Sequence, residues 1–235
     1  MPPSSEPSSG NRGERPRPLV LLHGLGQSPI AWQDFVSALG AGRPMHAPWM
    51  AGLKPRDRIG FDLAAAADGV ADELELQGIR QADFLGASVG GSVALRLAVE
   101  RPELVGRLIL AGAMVRPSSR SLRMQQLALR LVPETKLVDA GVSRPRMLAV
   151  FDALKTFDAA GSLARVTAPT LVVVGAKDRT GIPAARQLAA AVPGARIETI
   201  RGVGSLLNTE APRQLADLTR AFLDEPVAEG GERVT

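Results

Sequence analysis

From position 18 onward, short apolar runs alternate with longer stretches whose apolar residues recur at helical spacing. Pro18–His23 (PLVLLH) reads as a buried strand that ends at Gly24. Ser28–Leu39 reads as a helix, with Ser28 as N-cap and Pro29 at the first position, where a missing N–H removes no bond. Pro44–Ala47 is a short second strand, and Ile59–Leu76 is an amphipathic helix stopped by Gly78. Ala82–Gly86 (ADFLG) is a third strand that runs directly into a helix from Val89 to Arg101. Leu104–Ala111, Thr170–Gly175 and Arg196–Ile200 read as three further strands, with helices at Ala184–Ala191 and Ala211–Leu223.

Strands that alternate with helices predict an α/β protein with a mostly parallel sheet of about six strands, covered by helices on both faces. Between the fourth and fifth strands lies an insertion of about fifty residues, longer than an ordinary connection. Its segments Ser119–Leu131 and Arg144–Phe157 carry helical spacing. They predict a short helical lid, spanning about 114–165, over the carboxyl ends of the strands, where open α/β sheets bind ligands. Residues 1–17 and 225–235 lack apolar patterning and are expected to be disordered tails flanking a single domain at 18–224.

Composition removes several function classes. The net charge is only +4, and the arginines are scattered with no dense or aromatic-interleaved run, so nucleic acid is not an expected partner. The chain has no cysteine, which excludes disulfides, thiol catalysis and zinc–thiolate sites, and fits a cytoplasmic protein. No apolar window approaches a membrane span and the amino-terminal residues form no signal peptide, so no membrane association is expected. No cluster of His, Asp and Glu has ligand spacing, so neither a metal nor another cofactor is expected.

The strongest chemical motif is Gly86-Ala87-Ser88-Val89-Gly90, entered by a strand and left by a helix. That context is what a G-x-S-x-G nucleophile elbow requires. Small residues two positions either side of Ser88 let strand and helix approach, while the serine is held in a strained conformation. The Val89 N–H, near a helix N-terminus, would then face a developing oxyanion. A second motif, His23-Gly24-Leu25-Gly26, ends the first strand, and a third, Gly175-Ala176-Lys177-Asp178, ends the fifth.

With these motifs the chain resembles the α/β-hydrolase superfamily from about Pro18 to Leu223. The resemblance implies an α/β-hydrolase fold, a second oxyanion N–H at Leu25, a structural role for His23, and Asp178 as the acid of a catalytic triad. It also implies a histidine after the last strand, in a stretch like G-x-G-H-x-x-x-x-E-x-P. Here that stretch reads Gly202-Val203-Gly204-Ser205-Leu206-Leu207-Asn208-Thr209-Glu210-Ala211-Pro212, with Ser205 at the histidine's place. The chain has two histidines, His23 and His46, and His46 is expected to lie one strand further from the elbow than His23.

A hydroxyl cannot take a proton near neutral pH as an imidazole does, so Ser205 leaves the base unassigned. Three functions stay open. The first is hydrolysis of an ester, thioester or lactone through Ser88, with Asp178 and Ser205 completing an altered triad. The second is a lyase or cyclase reaction without an acyl-enzyme, and the third is ligand or protein binding without catalysis. The expected substrate is a small, largely apolar molecule, lined by His23, Gly24, Trp49 and the lid residues Met124 and Phe151. The protein is expected to be a monomer or a homodimer.

Overall fold

In β1 (Leu19–Leu22), alternate side chains must enter opposite faces of the sheet, and both faces are buried. Leu19 and Leu21 belong to the core cluster of Trp32, Phe35, Leu215 and Phe222, whereas Val20 and Leu22 belong to that of Val70, Leu74, Val93 and Leu97. A strand apolar on both sides is therefore covered by helices on both sides. The computed structural model describes residues 16–54, 57, 60–113, 119–133, 144–156 and 161–226.

The remaining strands are β2 (Met45–His46), β3 (Ala82–Ala87), β4 (Val105–Ala111), β5 (Thr170–Gly175) and β6 (Arg196–Ile200). They form one six-stranded sheet in the order β2-β1-β3-β4-β5-β6, and all the neighbouring pairs are parallel. The carboxyl ends of the strands therefore share one edge, and the loops that leave them can build a common site. His46, on β2, is separated from β3 by β1, as the sequence led one to expect.

The helices are α1 (Gln33–Leu39), α2 (Leu63–Leu76), α3 (Val89–Glu100), α4 (Ser119–Leu131), α5 (Arg144–Thr156), α6 (Gly181–Ala191), α7 (Leu207–Glu210) and α8 (Pro212–Asp224). Several ends differ from the sequence expectation. Ser28 makes no capping bond, and the chain from Pro29 to Trp32 winds as a tight 3₁₀ turn before α1 begins. α2 begins at Leu63, where the Asp62 carboxylate accepts the Ala65 N–H at 2.8 Å. Ile59 lies outside the described residues. Pro212 splits the last helical stretch, because it lacks an N–H and holds Ala211 out of the helical region (φ −141°, ψ 50°).

The expected lid is described in its two helices, α4 and α5. The Gln126 amide donates to the Asp152 carboxylate at 3.2 Å between them. Residues 114–118, 134–143 and 157–160 of that insertion lie outside the described residues, as do 1–15 and 227–235 of the expected tails. Buried Leu129 and Phe151 form a small cluster of their own, into which Leu25 packs from the loop after β1. α4 and α5 thus meet the loop after β1, at the edge of the sheet that carries the motifs. Among the described residues, no helix is long and apolar enough to cross a membrane.

Candidate active site

The elbow is set by sterics at three glycines. A Cβ on Gly86 would lie 2.5 Å from the Gly91 Cα, and one on Gly90 would strike the backbone carbonyls of Leu22 and His23. One on Gly91 would meet the Ala113 Cβ at 2.5 Å. α3 therefore sits against β1, β3 and the end of β4 more closely than any side chain would allow. Between strand and helix, Ser88 takes φ 50° and ψ −117°, the only non-glycine positive φ among the described residues. Such a conformation stores on the order of 1–3 kcal/mol and persists only where the surroundings impose it. Here the Ser88 N–H is tied to the Ala111 carbonyl at 3.0 Å. Val89 opens α3, so its N–H is among those that have no acceptor inside the helix.

The loop after β1 faces this elbow. A Cβ on Gly24 would lie 3.5 Å from the Ser88 Cβ, in van der Waals contact with the nucleophile's side chain, and 2.9 Å from Gln27 Oε1. His23 is fully buried and its Nδ1 is 3.1 Å from the Gly24 carbonyl. Opposite a carbonyl oxygen Nδ1 can only donate, so the neutral ring carries its proton there and Nε2 is bare. Nε2 finds no hydrogen-bond partner among the described residues. Burial holds the imidazole's pKa below its ordinary 6.5, against the opposing pull of the Gly24 hydrogen bond. Trp49, half-buried, meets the His23 ring edge-on with centroids 5.3 Å apart. Phe151, on α5, is buried in the cluster that Leu25 packs against, whereas Met124 is 61% exposed and takes no part in it.

Asp178 follows β5. Its Oδ1 accepts the Gly181 N–H at 2.7 Å and the Thr180 hydroxyl at 3.0 Å, which fastens the carboxylate to the start of α6. A Cβ on Gly181 would collide with Oδ2, so the helix begins on a glycine under the carboxylate.

Ser205 arrives from β6, yet its loop crosses back over the sheet. The Val203 carbonyl accepts the Lys177 N–H at 2.9 Å, and a Cβ on Gly175 would lie 2.6 Å from that same carbonyl. Further along, a Cβ on Gly112 would lie 3.0 Å from the Ser205 carbonyl. The loop therefore passes β5 and ends at the tip of β4, the strand next to β3. Ser88 is bonded to Ala111 and the Ser205 carbonyl faces Gly112, so the two serines meet adjacent residues at the end of β4. The Ser205 side chain is exposed, and the loop is closed behind it by Glu210, whose carboxylate accepts the Gly204 N–H at 2.6 Å.

Two polar residues around this edge, Gln27 and Asn208, have no chemical role assigned to them by any motif in the sequence. Glu210 was visible only as a landmark. Gln27 and Asn208 are distant in sequence and join by paired amides. Among the described residues no group of three or more His, Cys, Asp or Glu is placed to hold a metal ion.

Comparison with known proteins places this geometry in a family. The chain is 30% identical to polyketide synthase ThaQ of Burkholderia thailandensis over 94% of its own length, but spans only 12% of ThaQ. It is 29% identical to a protein of Pseudomonas savastanoi named as a carbamate hydrolase, RutD, covering 86% of this chain and 93% of that one. Among solved structures, the enol-lactonase of Burkholderia xenovorans superposes with a TM-score of 0.79 at 19% identity, covering 92% of this chain and 94% of that one. The profile of the Alpha/beta hydrolase family matches residues 19–218, and the chain belongs to that family.

Proposed function

We propose that this protein is a serine hydrolase of small, largely apolar esters, thioesters or lactones, with Ser88 as nucleophile and Ser205 at the position of the triad histidine. The observation that carries the reading is the strained Ser88 at the β3–α3 elbow. A conformation of that kind has no structural use in an ordinary strand-to-helix turn, and it lifts a hydroxyl clear of the sheet edge. Similarity to an enzyme named as a carbamate hydrolase agrees with attack on a carbonyl carbon, and similarity to a polyketide synthase agrees with an acyl thioester.

In this reading the Ser88 oxygen adds to the carbonyl carbon, and the oxyanion is met by the N–H groups of Leu25 and Val89. The lid cluster around Phe151 and the edge of Trp49 form apolar walls. Gly24 makes room for the reacting group. Asp178 is the triad acid, held at the end of β5 by the start of α6. With Ser205 in place of an imidazole, no side chain at that position accepts the Ser88 proton at pH 7, so turnover falls toward what the oxyanion site and binding provide alone, about 10³–10⁴-fold over water.

One observation favours a second reading, a lyase or cyclase that forms no acyl-enzyme. His46 lies on β2, and His23, just past the end of β1, gives its one proton to a backbone carbonyl. A fluorophosphonate probe and p-nitrophenyl acetate, applied to the parent, Ser88→Ala and Ser205→His proteins, separate the readings. The hydrolase reading expects Ser205→His to label at Ser88 and to gain at least about 100-fold in ester turnover, the size of a general-base contribution. No gain with either reagent would overturn it. The lyase reading expects native activity to survive Ser88→Ala.

A further inference from the structure

Gln27 grips Gly24 from both sides. Its side-chain Oε1 accepts the Gly24 N–H at 2.8 Å, and its own backbone N–H donates to the Gly24 carbonyl at 3.2 Å. That carbonyl also takes the His23 Nδ1 proton. The Gly24 C=O and the Leu25 N–H belong to one planar trans peptide, so whatever aims the first aims the second in the opposite direction. The Gln27 carboxamide is in turn held by Asn208, which is 1% exposed. Gln27 Nε2 donates to Asn208 Oδ1 at 3.2 Å, and Asn208 Nδ2 donates back to Gln27 Oε1 at 3.1 Å. The second Nδ2 proton of Asn208 goes to the Ala31 carbonyl at 3.4 Å. Asn208 lies three positions after Ser205, on α7.

We infer that Gln27 and Asn208 are positioning residues that set the direction of the Leu25 N–H and couple it to the loop bearing Ser205. The inference rests on the reading of Leu25 as an oxyanion donor. This pair of amides, with Asn208 buried and Gln27 half-buried, uses every nitrogen and oxygen and so favours one orientation, whereas an apolar side chain at position 27 would leave the Gly24 N–H without its acceptor and the turn held by the residue 27 N–H and His23 alone. Gly24 itself sits between this clamp and the nucleophile, since a Cβ there would be 2.9 Å from Gln27 Oε1 and 3.5 Å from Ser88 Cβ.

The test uses Asn208→Leu and, at the half-buried partner, Gln27→Met, each made in the parent and in the Ser205→His protein. In the Ser205→His background both substitutions are expected to lower kcat on p-nitrophenyl acetate by about 30-fold, short of the 10²–10³ for complete loss of an oxyanion donor, with KM little changed. Gln27→Glu keeps an acceptor for the Gly24 N–H but sets a second oxygen against Asn208 Oδ1, so it is expected to lose less rate than Gln27→Met without restoring that of the Ser205→His protein. In the parent, amide hydrogen exchange at Gly24 is expected to accelerate about tenfold or more in both variants. Unchanged kcat, or a fall in kcat/KM carried by KM alone, would overturn the inference. If Ser205→His shows no turnover at all, the hydrolase reading fails by itself. The exchange measurement then decides separately, and unchanged Gly24 exchange in Asn208→Leu overturns the clamp.

Discussion

Two residues of the proposed site, Ser88 and His23, hold unfavourable states that the surrounding fold enforces. Ser88 carries a Cβ at φ 50°, and Ser88→Ala would keep that strain while removing the hydroxyl. Ser88→Gly relieves it, offset in part by the greater chain entropy of an unfolded glycine. Urea denaturation is expected to find Ser88→Gly more stable than Ser88→Ala by about 1 kcal/mol. Equal stability would mean that the elbow is not strained. His23 holds a neutral imidazole with its pKa lowered by burial. Its unfolded form binds a proton near 6.5 and its folded form does not, so below that pH the unfolded state binds more protons. The stabilisation is full above about pH 7 and is lost as pH falls through 6, by at most about 1.4 kcal/mol per unit. His23→Asn, which can still donate to the Gly24 carbonyl, is expected to flatten that part of the stability–pH curve; an unaltered slope would show that His23 does not set it.

At the scale of elements, the contacts that matter are those between backbones. α3 lies against β1 at Gly90 with no space for a methyl group, so Gly90→Ala must push helix and strand apart. The expected loss is about 3 kcal/mol, whereas Gly60→Ala, with nothing within 4 Å of its Cβ position, should change stability by less than about 0.5 kcal/mol. Comparable unfolding midpoints for the two would contradict the close packing. The lid makes a different kind of contact. Phe151 and Leu129 rest on Leu25 through apolar surface alone, so Phe151→Ala should loosen substrate binding more than it slows chemistry. A several-fold rise in KM on an apolar ester, with kcat less affected in the Ser205→His background, is the expected result.

For the whole molecule, the proposed site draws on the loops after β1, β3, β5 and β6 at one edge of a parallel sheet. In the proposed mechanism Ser88, Asp178 and residue 205 act as one unit, so their effects should not add. In Ser205→His, a further Asp178→Asn change keeps an acceptor for the Gly181 N–H and so leaves the start of α6 intact. It is nevertheless expected to erase most of the gained ester turnover, while in the Ser205 parent the same change should alter little. Steady-state turnover of the four proteins checks this, and equal effects of Asp178→Asn in both backgrounds would separate Asp178 from residue 205.

The sequence by itself determined the α/β class, the six strands and the positions of three motifs, because strand burial on both faces and glycine-rich turns are local patterns. It also placed α4 correctly and α5 to within one residue. It misjudged the starts of α1 and α2, where a proline and a polar cap compete with apolar spacing. Only the tertiary structure decided which distant polar groups share a contact. Nothing in the pattern around Asn208 marks it as the partner of Gln27, and nothing in ADFLG shows that Asp83 is buried beside Arg43 at 2.9 Å. Nor does the sequence show that the loop after β6 crosses β5 to reach the end of β4. Local patterns follow from what each residue does to its own stretch of chain. Polar pairing depends on the crossing of the chain in space, which strand order and crossover direction set only after the sheet has formed.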